Sequence, residues 1–93
     1  MSIPIKYKQP ADVEDFDVDY SNYLPEGDSI TTVELSLDIL GELVLPAYQI
    51  QSPIVKVWTS GGMDGGSYKV TVTASTAQGR VKQQEFNVRV KEI

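Results

Sequence analysis

The chain has 93 residues, 41% of them hydrophobic and 23% charged, the composition of one soluble globular domain, with a net charge of −5. It contains no Cys and no His, which excludes disulfides, thiolate nucleophiles, zinc–sulfur sites, the Ser-His-Asp triad and His-dependent metal sites. The net acidity argues against nucleic acid, no apolar run approaches the roughly 20 residues of a membrane span, and Met1–Pro10 lacks an apolar signal segment, so export by a standard route is not expected.

In chain order, residues 1–11 place Ile3, Ile5 and Tyr7 in alternation with polar positions or Pro, among them Lys6 and Lys8. The pattern suits an extended segment. It is either a loosely ordered terminus or an arm that packs on a neighbour or adds to a sheet edge. We expect an assembly arm over 1–11 and a folded domain over 12–93. Residues 15–20 alternate strictly, with Phe16, Val18 and Tyr20 on one face and Asp15, Asp17 and Asp19 on the other. That is a half-buried strand, and like charges on its open face suit a sheet edge. Tyr23 to Asp28 reads as a turn, with Pro25 and Gly27 as punctuation.

Thr31–Leu37 is the next strand, with Val33, Leu35 and Leu37 inward. Leu43–Leu45 and Tyr48–Gln51 read as short strands around Pro46, in preference to a helix over 33–45. Residues 54–59 form a strand ending near Trp58, which is placed to cover one end of the core. The run Ser60–Gly66, including Gly61 and Gly62, reads as a crossover between sheets; it lacks the Gly-Lys-Ser/Thr ending and following helix of a phosphate loop. Residues 67–75 and 81–90 form a hairpin about Gly79, with Tyr68, Val70, Val72 and Ala74 facing Phe86, Val88 and Val90. Val81 is out of phase with that set, which predicts a bulge near Gln83–Gln84.

About seven short strands and no convincing helix predict an all-β, immunoglobulin-like antiparallel β-sandwich. Tyr68, just after a glycine-rich corner, is placed either as a tyrosine corner, its hydroxyl bonded back to the preceding loop, or as an ordinary core tyrosine.

No residue set points to catalysis, and neither cofactor nor metal is expected. Asp15, Asp17, Asp19 and Glu26 match the spacing of a calcium loop, but Tyr20 stands where the sharp turn needs Gly. Tyr20, Tyr23, Tyr48 and Trp58 would form a sugar-stacking platform if they shared a face; more often such residues are core or interface anchors. The charge is uneven: residues 1–45 hold ten acidic and two basic side chains, residues 46–93 three acidic and six basic. Either interleaved strands cancel this polarity, or separate patches orient the molecule against a neighbour.

Three stretches carry a resemblance. Tyr20–Ile30 fits an aromatic-x-x-Tyr-Leu-x-x-Gly-Asp-x-Ile box, residues 57–62 a Trp-x-Ser-Gly-Gly turn, and residues 66–80 a final hairpin ending in a Gly-Arg corner. Over roughly residues 15–90 the chain resembles small virion proteins of tailed bacteriophages, usually described as fibre–tail adaptors. Residues 38–52 depart from that pattern in being more apolar. The resemblance implies a non-enzymatic part of the virion, assembled in the host cytoplasm and present in several copies on a symmetric body. Its partners would be other virion proteins (tail, connector, fibre or capsid subunits), with no nucleic acid or membrane. Capsid decoration and a host-surface or glycan-binding module are the alternatives. The arm residues Ile3, Ile5, Lys6, Tyr7 and Lys8, the acidic face of Asp15, Asp17 and Asp19, and the loops around Tyr23 and Met63 are the candidate interface. Tyr68, Trp58, Gly61, Gly62 and Gly79 are the candidate structural residues.

Overall fold

The computed structural model describes residues 4–92, and Ile3 of the expected arm lies outside them. Eight strands follow in order: β1 (Ile5–Lys8), β2 (Val13–Asp19), β3 (Ile30–Leu37), β4 (Leu43–Val44), β5 (Tyr48–Gln51), β6 (Ile54–Gly61), β7 (Ser67–Thr76) and β8 (Val81–Val90). One sheet has the order β1-β8-β7-β3. The other has β2-β6-β4, with β5 also paired to β6. The chain crosses between the sheets at β1–β2, β2–β3, β3–β4 and β6–β7, the alternation of an immunoglobulin-like sandwich.

The alternating strands fold as their pattern dictates. Along β7 every second side chain, from Tyr68 to Thr76, is buried. Val55 and Val57 of β6 face it across the sandwich with Val18 and Tyr20. Phe16 and Phe86 stack between the sheets, ring centroids 4.3 Å apart and 12° from parallel. Residues 33–45 form no helix; β3 ends at Leu37 and β4 begins at Leu43.

The structure differs from the sequence reading in four places. First, residues 5–8 of the expected arm form a strand of the chain's own sheet. β1 pairs parallel to β8, Ile5 opposite Asn87 and Lys8 opposite Val90, which makes eight strands instead of seven and breaks the all-antiparallel pattern. Second, the faces of that segment are inverted. Lys6 and Lys8 share the inward face with Val88 and Val90, while Ile5 and Tyr7 point to solvent. Alternation fixes two faces but not which one is inside, and an inward lysine is a known device for protecting an edge strand.

Third, no bulge interrupts β8, whose register with β7 runs unbroken from Ser67–Arg89 to Ser75–Val81. Val81 is out of phase because it lies on the outer face, 65% exposed, while the inward positions Gln84 and Lys82 are polar; the one register shift of that sheet lies between Ile30 and Thr32. Fourth, Trp58 does not cover the core. It sits on the outer face of β6 opposite Asp15, since its neighbours Val57 and Thr59 take the inward positions.

Candidate functional site

The strand register puts the loops into two groups, separated by strands of ten residues, about 33 Å of extended chain. One group is the β2–β3 loop, the β5–β6 turn and the β7–β8 hairpin. The other is the β1–β2 and β3–β4 connections and the glycine-rich β6–β7 corner.

At the hairpin end, Tyr20 enters the core directly after the acidic strand. Its fully buried hydroxyl donates to the Val72 carbonyl at 2.7 Å, and burial pushes its pKa up to about 12. Asp28 then ties the loop to the hairpin. The N–H groups of Ser29 (2.9 Å) and Gln78 (3.1 Å) donate to its Oδ1, and Arg80 Nη1 donates to its Oδ2 at 3.1 Å. Ala77 N–H donates to the Ser29 carbonyl, and Gly79, at φ 89°, closes the turn. Burial alone would raise the Asp28 pKa. The hydrogen bonds from Thr76, Gln78, Ser29 and Arg80 outweigh it and hold the carboxyl below its usual range. Tyr23 lies exposed beside this brace with Lys82 Nζ 4.7 Å from its ring centroid. The two stretches of the resemblance, Tyr20–Ile30 and the Gly-Arg hairpin, therefore form one braced surface. Its cleft is lined by Tyr23, Leu24, Thr76, Arg80, Val81 and Lys82.

This brace has a pH signature. Asp28, Asp15 and Asp19 all have lowered folded pKa values, Asp15 through the hydrogen bond from Lys56 and Asp19 through the Ser21 N–H. A lowered carboxylate pKa adds stability that is full above the unfolded value of about 4 and is lost as pH falls through the folded value. The urea midpoint should therefore be flat from neutral pH to about 5 and drop between about pH 4 and 2. A midpoint that holds down to pH 2 would contradict the account.

At the opposite end, Tyr68 is buried at the start of β7. Its hydroxyl accepts from Met63 N–H at 2.9 Å and donates to Glu42 Oε1 of the β3–β4 connection. Burial, and then the Glu42 carboxylate, raises its pKa. Gly62, at φ 93°, packs where an added Cβ would meet Val90 Cγ2 at 2.7 Å and the Tyr68 ring at 3.4 Å. Lys8 is buried beside them, its Nζ donating to the Gly61 and Gln9 carbonyls, with desolvation lowering its pKa against Asp12 and Glu14. Tyr68→Phe should lower the unfolding free energy by about 1 kcal/mol or more, because the part-buried Met63 N–H loses its acceptor and Glu42 its donor. A urea midpoint equal to the parent's would show that this bond does not brace the corner.

The remaining candidate residues are dispersed. Lys56 sits between Asp15 (2.8 Å) and Asp17 (3.3 Å), so the acidic face is partly neutralised within the chain. Asp19 instead accepts from Ser21 N–H. Lys8, buried at the β6–β7 corner, does not face outward toward a neighbour's carboxylates. Tyr7 is 66% exposed, in a cleft with Arg89 and Lys91. Tyr23 and Met63 lie at opposite ends. The four aromatics of the possible sugar platform share no face: Tyr20 is in the core, Tyr23 in a loop, Tyr48 on the inner side of β5 and Trp58 on the outer side of β6. Asp28 and Lys56 were not singled out from the sequence. The Gly27-Asp28 turn pair carried the signal for Asp28, since Asp caps its own turn.

No curated protein matches the chain. A protein-family model does: the one described as podophage GP4 fiber-tail adaptor protein gp77 matches residues 8–89, a span that takes in both braced ends, and the chain belongs to that family of phage structural adaptors.

Proposed function

We propose that this chain is a non-enzymatic adaptor that fixes a fibre to the tail or its connector, in several copies around the symmetric axis of the virion. The family match over residues 8–89 carries the reading. The fold supports it physically, because a connector must hold two separate contact surfaces at a fixed distance. Here each end is cross-braced by a side chain, Asp28 bonded to the Gln78 backbone at one and Tyr68 bonded to Met63 and Glu42 at the other. The sandwich between them is a packed body of 44 × 27 × 18 Å.

The partners on this reading are virion proteins and not nucleic acid or membrane. The purified chain should bind the purified fibre protein and the purified tail protein of the same virion at once, as a ternary complex in analytical ultracentrifugation. Binding to host cells or a glycan array with no affinity for either virion protein would overturn the adaptor reading in favour of a host-binding module.

A further inference from the structure

A sandwich has open strand edges, and three of the four here carry features that resist pairing. β1 is four residues long, with Lys6 and Lys8 turned inward. β2 presents Asp15, Asp17 and Asp19 along its outer face. The remaining edge of that sheet is broken into β4 and β5 around Pro46 and stops at Pro53. Short strands, inward lysines, charges and prolines are the usual protections of an edge.

β3 has few of these. It runs eight residues, Ile30–Leu37, with no Pro or Gly and Glu34 as its one charge, and among the described residues it pairs with β7 alone. Its register shift lies at its first residues, where Ile30 N–H donates to Ser52 Oγ. Beyond that point the edge is open. Asp38 N–H donates to the Lys69 carbonyl, so by antiparallel alternation Ser36 and Glu34 also bond toward β7. The N–H and C=O groups of Val33, Leu35 and Leu37 then face the free edge.

The surface beneath this edge is apolar and uncovered. Tyr48 and Ile50 of β5 lie opposite Val57 and Val55, hence on the core side of their sheet, yet they are 45% and 36% exposed. β5 comes close to β3 along this edge, but among the described residues the two strands do not pair. Leu35, Leu37 and Leu45 are partly buried against the core, and Leu40, 81% exposed, follows the end of β3. The apolar character of residues 38–52 thus concentrates along the side where the β1-β8-β7-β3 sheet ends. Immunoglobulin variable-type sandwiches carry an additional strand at this edge, so the architecture accommodates one.

We propose that an extended segment of a virion partner adds to β3 as a fifth strand of this sheet. The inference rests on the adaptor reading and names how one partner is held. The segment would alternate apolar residues, seated on Tyr48, Ile50, Leu35 and Leu37, with polar ones, and set a Lys or Arg opposite Glu34. Main-chain bonds would provide affinity and the alternate side chains selectivity. A second copy of this chain is disfavoured as the occupant. Antiparallel pairing of β3 with itself in the register centred on Glu34 sets Glu34 against Glu34, and in any central register the two carboxylates lie close, between two molecules of charge −5.

The test uses the full chain with the purified fibre protein and the purified tail protein. Tyr48→Lys and Ile50→Lys together, both on exposed side chains, should keep the parent's melting temperature and weaken binding to one partner by about tenfold or more, since a cation would be buried without a counter-charge. In that complex, hydrogen exchange should slow at the amides of Val33, Leu35 and Leu37 and not at those of Glu34 and Ser36, already bonded to β7. If the double variant melts early, Glu34→Lys decides instead, and the same loss is expected from it. Binding that is unaffected, or unchanged exchange along β3, overturns the inference and leaves the adaptor reading standing. A dimer of the chain alone that the lysines dissociate assigns the edge to a second copy and overturns it too. Failure of the parent to bind either protein removes the adaptor reading and this inference together.

Discussion

Phe86→Ala is expected to lower the unfolding free energy by about 3–5 kcal/mol, the cost of deleting a buried aromatic ring and leaving its cavity. Phe86 is fully buried, its ring stacked on Phe16 across the sandwich. It is also the last apolar inward residue on β8 before the hairpin turns polar at Gln84. No neighbouring apolar side chain on that strand can slide in to fill the gap toward the hairpin. A domain of this length has about 5–14 kcal/mol in total, so the loss would bring the variant close to unfolding at 37 °C. Urea denaturation measures it, and a loss under about 1 kcal/mol would mean that the two sheets do not meet at this ring.

Gly62→Ala should have the second largest effect, about 2–4 kcal/mol, from two causes that act together. The residue has φ 93°, a conformation that a Cβ disfavours, and the new methyl would lie 2.7 Å from Val90 Cγ2. Relief would require moving β8 or opening the β6–β7 corner, and either displaces Tyr68 from Met63. The variant's loss should therefore be much smaller in a Tyr68→Phe background than in the parent, because both act on the same corner. Strict additivity of the two substitutions would show that Gly62 and Tyr68 are independent. Gly65, with nothing near its added Cβ, is the control for the loop conformation alone, since its φ of 83° is similar.

The parts of this fold that could be read from the sequence are those where one face is buried and the other wet. β2, β7 and the Phe86–Val90 stretch of β8 announce themselves by period two, and the fold class follows from their number and spacing. Periodicity is silent on which face is inside when a strand lies at an edge. Ile5 and Tyr7 look like inward residues, but the lysines between them point inward, because Lys8 meets two carbonyls at the corner that no apolar side chain could satisfy. Val81 suggests a bulge because it is apolar and out of phase, but it simply lies on the outer face in an unbroken register, 65% exposed.

The candidate site was less legible than the fold. The braces depend on pairs far apart in sequence, Asp28 with Arg80 and Tyr68 with Glu42, which no local pattern reveals. The acidic face looked like a docking patch for want of knowing that Lys56 stands between two of its carboxylates. Conversely, the excess apolar character of residues 38–52 was visible in the sequence, and only the topology shows that it borders an unpaired strand.

The most direct measurement of the central claim is made on the particle. Virions assembled without this chain should have complete heads and tails but lack fibres, by electron microscopy and by protein mass spectrometry. Adding the purified chain and fibre protein should restore the fibres. Particles that carry a full complement of fibres in its absence would contradict the account.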